Sequence, residues 1–374
     1  NYPEPVKSDA MTVVAKIGTS SITDAHGNIA PDAVAKFCDE VTALRSSGTR
    51  VVVVTSGAIS AGLPVVDLHG PQRPRDAVTL QAVSAIGQSR LMQVYNEAFD
   101  RRGIVSGQVL LAPLDFGIRS QYLHARGTLE RLLELDVVPV VNENDAIADD
   151  EIRFGDNDRL AALVAHLVGA HVLVLLTDTP GVFTADPRFD ETASLIEEIV
   201  EIDQELEAVA GRSSTDRGSG GMSAKLAAAK IASWSGVTAV IADAGRDGVL
   251  AAAAAGEPGV GTVIRPRDLR LSARKLWIAF AVAPLGTIQI DEGARSALVQ
   301  GQRSLLAAGV TGVNGTFEID DGVEIVGPDG AVCAKGLVRV GSTVLEELRG
   351  RRSGDLPDGV ARYVVHRDDL VVLP

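Results

Sequence analysis

The sequence predicts an α/β protein: a doubly wound, mainly parallel sheet sandwiched by helices, followed by a smaller, mostly β domain. Three observations carry this. Six apolar runs rich in Val, Ile and Leu recur up to about residue 240 without the strict alternation of a half-exposed strand, which fits a parallel sheet covered on both faces. Helix-like stretches separate them, so strand and helix alternate to about residue 265. After RPRDLRLSARK (265–275) the texture changes to short alternating strands with glycine turns. A chain of 374 residues has room for two or three such domains.

The elements follow in order. The expected strands are VVAKI (13–17), VVVVTS (51–56), IVSGQVLL (104–111), VVPVVN (137–142), HVLVLLT (171–177) and VTAVIA (237–242). The first long helix is expected to start at Pro31, where a missing N–H costs nothing, and to stop at Gly48. Further helices are expected over 77–102, 119–136 and 157–169, and from Ser223 as N-cap to Gly236. The later strands include GTIQID, GTFEID, GVEIVGPDG, AVCAKGLVRV and ARYVVHRDDLVVL, with GPDG (327–330) as a tight hairpin. The domain reading is a polar extension over 1–10, a first domain over 11–266, a linker over 267–275 and a β domain over 276–374.

Composition excludes several classes. Net charge is −14, with 22 basic and 35 acidic residues in 1–266 against 13 and 14 in 267–374. An acidic body argues against a general nucleic-acid binder, which needs Lys and Arg in excess. The near-neutral tail leaves room for a local basic patch around Arg349, Arg351, Arg352, Arg362 and Arg367, paired or not with Asp355, Asp358, Asp368 and Asp369. No apolar run reaches the roughly 20 residues of a membrane span. NYPEPVKSDAM has no apolar h-region, so no signal peptide is expected there. Two distant cysteines, Cys38 and Cys333, exclude a disulfide scaffold and a Cys-based zinc site, and fit a reducing cytoplasm. HRDDL (366–370) begins like the catalytic loop of protein kinases but lacks the spaced Asn and any following DFG.

Candidate chemistry gathers where strands end, because ligands of parallel sheets bind at the carboxyl edge. GSGGMSAK (218–225) is the most informative run: its glycines let backbone N–H groups approach a ligand, and it opens a helix whose N-terminus favours anions. Lys225 in that first turn opposes the helix dipole, a conflict that a bound phosphate would resolve. The run matches neither GxxxxGK[ST] nor GxGxxG, which argues against a P-loop enzyme or a dinucleotide dehydrogenase. Lys16, at the end of a buried strand just before Gly18, is suited to hold a transferring phosphoryl group. NEND (142–145) and GDND (155–158) offer carboxylates and amides for a ligand ammonium and carboxylate, oxygens for Mg²⁺, or simply turn and cap chemistry.

Taken together, VVAKIGTSS, VVVVTSGAISAG, VPVVNENDAI, FGDNDRLAALVA, LLTDTPGVFTADP and GSGGMSAKLAAAKIA resemble the glutamate-phosphorylating branch of the amino acid kinase superfamily over about residues 11–265. The tail resembles the PUA domain often appended in that branch. The segment PVVDLHGPQRPRD after Gly62 has no firm counterpart. The resemblance implies the amino acid kinase fold and ATP-dependent phosphorylation of the γ-carboxylate of L-glutamate to L-glutamyl 5-phosphate, the first step of proline synthesis. It implies that Lys16 and Lys225 contact the phosphates and the transition state, that Asp158 orients the lysines, and that Thr177 and Asp178 line the ATP site with Ser219, Gly220, Gly221, Met222, Ser223, Ala224 and Lys225. Ser56, Asp145 and Asn157 would hold glutamate. Mg²⁺, feedback inhibition by proline, a homo-oligomer (dimer or tetramer) and hand-off to a glutamyl phosphate reductase are implied in the same way. RNA stays open as a partner of the tail; a membrane is not expected.

Overall fold

In the computed structural model, residues 10–68, 74–116, 118–147, 157–202, 206, 221–267, 270–280, 282–301, 303–352, 354 and 361–373 are described. The chain divides into two compact units, the first ending at Arg270 and the second beginning at Leu271.

The first unit is built on one eight-stranded sheet. Its strands are β1 (Thr12–Ile17), β2 (Arg50–Val54), β3 (Ser106–Leu111), β4 (Val138–Glu143), β5 (Val172–Thr177), β6 (Glu198–Ile199), β7 (Thr238–Asp243) and β8 (Thr262–Ile264). The order across the sheet is β3-β4-β2-β1-β5-β7-β8-β6. Neighbours run parallel except β7 and β8. Among the described residues, the α-helices of this unit include α1 (Thr19–Ile22), α2 (Pro31–Ser46), α3 (Ala58–Gly62), α4 (Ala77–Asp100), α5 (Arg119–Glu134), α6 (Asn157–Leu167), α7 (Met222–Trp234) and α8 (Val249–Ala255).

The unbroken Val/Ile/Leu runs behave as parallel-sheet physics requires: every residue of β1, β4 and β5 is buried. Val13, Ala15 and Ile17 face the core under α2, α4 and α8, with Val34, Val41, Leu91, Tyr95 and Leu250. Lys16 is one residue out of step with that set, and so belongs to the opposite face. β3 departs from the expectation of burial on both faces. It is the edge strand, Val105 beside it is 63% exposed, and only Leu111 of its six residues is buried.

Two helix signals resolve differently. α2 starts at Pro31, and Gly48, at φ +82°, follows its C-cap Ser47. α7 is capped not at Ser223 but at Gly221, with Met222 as its first helical residue. Ser223 therefore lies inside the first turn rather than at the cap, and the cap residue, Gly221, makes no side-chain capping hydrogen bond.

The second unit has helix α9 (Ala273–Phe280), strand β9 (Pro284–Ile290), helix α10 (Glu292–Val299), strands β10 (Val310–Gly315), β11 (Gly322–Val326) and β12 (Val332–Val338), helix α11 (Ser342–Leu348) and strand β13 (Val365–Val372). Its sheet runs β10-β9-β11-β12-β13, with β9 and β11 parallel and the other pairs antiparallel. The GPDG hairpin joins β11 to β12, with Gly330 at φ +81°. Residues 273–275, read from sequence as linker, open α9, whose Leu276 and Ile278 are fully buried. HRDDL lies in β13, and Asp369 within it is a structural ion-pair centre, bonded to Arg274 (2.6 Å) and Arg339. Among the tail arginines, Arg349 pairs with Glu346 at 2.9 Å and Arg367 lies 3.7 Å from Asp368; Asp355 and Asp358 fall outside the described residues.

Candidate active site

Parallel pairing brings the carboxyl ends of β1, β2, β4, β5 and β7 to one edge of the sheet. Lys16 stands near the end of β1, in register with Val54 of β2 and Leu175 of β5. Its ammonium lies 2.7 Å from Oδ1 of Asp158, in the first turn of α6. Lys225, in the first turn of α7, reaches Oδ2 of the same carboxylate at 3.3 Å. These three residues are 3%, 1% and 5% exposed in the order Lys16, Asp158, Lys225.

Two buried cations share one buried anion, which leaves this cluster one positive charge in excess. Burial pushes the Asp158 carboxyl up, but the lysines outweigh it and hold it below the usual carboxylate range. Burial pulls the Lys225 ammonium down against the opposing pull of Asp158, and Lys16 adds to the lowering. Asp158 sits well at a helix N-terminus, whereas Lys225 does not. Its position is explained by Asp158 beside it. Gly221, Met222, Ser223 and Ala224 form the start of α7; Ser219, Gly220 and Asp156 lie outside the described residues.

Thr177 ends β5 buried, and its Oγ1 donates to exposed Asp178 at 3.2 Å. Ser56 is 8% exposed and precedes Gly57, whose φ of +102° turns the chain from β2 into α3.

NEND contributes a second cluster, buried against α4. The Asn142 Nδ2 donates to Gln88 Oε1 at 2.7 Å. The Glu143 N–H donates to Asn142 Oδ1 (2.9 Å) and to Asn157 Oδ1 (3.2 Å), tying the NEND strand end to the start of α6. Asp145 accepts from Ser84 Oγ at 2.7 Å through Oδ2, while its Oδ1 is buried without a hydrogen-bond partner among the described residues. Burial raises the Asp145 carboxyl above its ordinary value, and the Ser84 bond opposes this.

Ser84 and Gln88 were not singled out by the sequence motifs. They are four residues apart on the face of α4 that also buries Val83, Gly87 and Leu91, and a polar i, i+4 pair on a buried helix face is a signal in its own right. Gly87 shows how tightly this face is packed: a Cβ there would lie 1.8 Å from the Ala58 carbonyl oxygen of α3.

Two lysines around one aspartate, beside a glycine-capped helix N-terminus at the carboxyl edge of a parallel sheet, make an arrangement suited to anionic groups, as a phosphoryl-transfer enzyme requires. The comparisons with known proteins agree. Residues 11–243 match the amino acid kinase family and residues 286–360 match the PUA domain. A protein named glutamate 5-kinase from Mycobacterium avium (strain 104) is 43% identical over 364 residues, 97% of each chain. Glutamate 5-kinases from Frankia casuarinae (45% identical, 99% of this chain and 98% of that one) and Geobacter sp. (strain M21) (42%, 96% and 97%) are similar over the same extent. The chain belongs to the amino acid kinase family, and within it to the glutamate 5-kinases that carry a C-terminal PUA domain. Among the described residues, no helix is long and apolar enough to cross a membrane.

Proposed function

We propose that this chain uses ATP to phosphorylate the γ-carboxylate of L-glutamate, giving ADP and L-glutamyl 5-phosphate, the first step of proline biosynthesis. The observation that carries the reading is the buried Lys16–Asp158–Lys225 cluster beside the glycine-capped N-terminus of α7.

In this reading Lys16 and Lys225 offset the repulsion between two anionic reactants and hold charge that shifts onto the transferring phosphoryl group. Asp158 keeps the two ammonium groups together and oriented. Thr177 and Asp178, with Ser219 to Lys225, line the ATP site. Ser56, Asp145 and Asn157 hold glutamate; the free, buried Oδ1 of Asp145 suits an ammonium group. The nucleophile is already ionised near neutral pH, since a glutamate carboxyl titrates at about 4.3. No general base is needed, so catalysis rests on positioning and electrostatics.

Mg²⁺ would supply further neutralisation of the phosphates. Among the described residues no group of three or more His, Cys, Asp or Glu side chains forms a metal cage.

Family membership supports feedback inhibition by proline, a dimeric or tetrameric assembly and hand-off of the reactive acyl phosphate to a glutamyl phosphate reductase. ATP dependence and two free, buried cysteines, Cys38 and Cys333, support a cytoplasmic setting. The domain reading is a catalytic body before about residue 266, with the PUA-like tail free to tune regulation or to bind RNA.

The test is ATP turnover with L-glutamate in the presence of hydroxylamine, which traps an acyl phosphate as the hydroxamate. Glutamate-dependent hydroxamate, formed in step with ADP, is expected. ADP release without hydroxamate, or turnover only with aspartate, acetylglutamate, carbamate or a nucleotide, would overturn the reading.

A further inference from the structure

Among the described residues, two buried polar atoms in the NEND cluster have no hydrogen-bond partner: Oδ1 of Asp145 and Nε2 of Gln88. Their residues are only 6% and 8% exposed. A buried polar atom left unpaired is costly, so such an atom at a ligand site marks what the ligand must supply. One of these atoms accepts and carries charge; the other donates.

The Gln88 assignment is fixed by its neighbours. The Glu143 N–H can only donate, and it donates to Asn142 Oδ1. Asn142 therefore turns its NH₂ towards Gln88, which must answer with its oxygen. The Gln88 NH₂ is left as the free donor. The Asp145 geometry is fixed in a similar way, because Ser84 Oγ engages Oδ2 and leaves Oδ1 open. Ser84 and Gln88 are one helical turn apart, so their side chains emerge about 5–6 Å from each other. A ligand that satisfies both orphans offers a cationic donor and an acceptor, as the ammonium and carboxylate on the Cα of an amino acid do.

We infer that Ser84 and Gln88 complete the α-amino-acid subsite: Ser84 is a positioning residue that turns the free oxygen of Asp145 towards the substrate's α-ammonium, and the Gln88 amide donates to its α-carboxylate. This rests on the glutamate reading above and adds a wall, the Ser84–Gln88 face of α4, that selects α-amino acids over simple dicarboxylates.

The test is steady-state kinetics of the full chain with L-glutamate varied at saturating ATP, for Ser84→Ala, Ser84→Thr and Gln88→Glu. Ser84→Ala should raise the glutamate KM about tenfold or more, with kcat within about threefold and the ATP KM unchanged; Ser84→Thr, which keeps the hydroxyl, should restore it. Gln88→Glu keeps an oxygen for Asn142 but replaces the donor with a negative acceptor, so its glutamate KM should rise about a hundredfold. With L-isoglutamine, whose α-carboxamide can donate, the same variant should lose far less relative to wild type. The inference is overturned if Ser84→Ala moves kcat or the ATP KM as much as the glutamate KM, if Ser84→Thr fails to restore it, or if Gln88→Glu loses equally on both substrates. Should Gln88→Glu not fold, as judged by circular dichroism, the two serine variants decide. A wild-type enzyme that does not phosphorylate L-glutamate would remove the functional reading itself; an active wild type with unaltered Ser84 and Gln88 variants would remove only this subsite.

Discussion

The ammonium of Lys16 lies 2.7 Å from Oδ1 of Asp158, and both side chains are almost wholly inside the protein. Lys225 occupies the other oxygen of that carboxylate. A buried charge is tolerable only with its partners, so this cluster is a structural commitment as well as a chemical one. Removing the aspartate takes away the one carboxylate that both ammonium groups contact.

Asp158→Asn is therefore expected to damage both stability and turnover. Breaking a buried ion pair at one partner costs about 3–5 kcal/mol. Thermal melts should show a clear fall in Tm, and kcat should drop even where the variant remains folded. A variant with unchanged Tm would show that the lysines do not depend on this carboxylate.

The same residue sets a pH dependence. The folded-state pKa of Asp158 is depressed, so its contribution to stability is fully present above the unfolded value of about 3.9 and is lost as pH falls through the lower folded value. Denaturant midpoints compared across that acid range should fall more steeply for wild type than for Asp158→Asn. Parallel curves would contradict the pairing.

Asp145 titrates in the opposite sense, because burial raises its carboxyl. Its ionised form is the one that can hold an ammonium, so the glutamate KM should climb as pH falls towards the carboxylate range, with the ATP KM nearly flat. Asp145→Asn should raise the glutamate KM at neutral pH by an amount equivalent to about 2–5 kcal/mol. Equal losses for ATP and glutamate would point instead to a metal or folding role.

Sequence patterns made much of this site legible, for physical reasons that also mark where they stop. The unbroken runs of β1, β4 and β5 announce two-sided burial, which puts Lys16 inside the protein. A lysine in the first turn of a helix is an electrostatic anomaly, and Lys225 could be singled out on that ground. β3 carries a similar apolar run yet lies at the sheet edge, because composition does not encode strand order. Ser223 looked like a cap, but Gly221 ends the extended segment first. Ser84 and Gln88 reach partners 61 and 54 residues away, contacts that no local motif announces.

The tail offers a separate prediction. Every candidate phosphate or glutamate contact precedes Arg270, where the first compact unit ends. A chain truncated there should fold and keep glutamate-dependent turnover, while its proline response or oligomer mass changes. A soluble truncated chain with native circular dichroism but no activity would show that residues 271–374 support the catalytic site.

The most direct test of the central claim, that Lys16 and Lys225 act together on the transferring phosphoryl group, is a double-mutant cycle in kcat with L-glutamate. Each single alanine variant is expected to lose about a hundred- to a thousandfold in kcat, by analogy with the loss of one transition-state donor, with the glutamate KM little changed. The double variant should lose less than the product of the two single effects, because both ammonium groups would serve one phosphoryl group and share Asp158. Fully multiplicative losses, or single variants that raise only the glutamate KM, would contradict it.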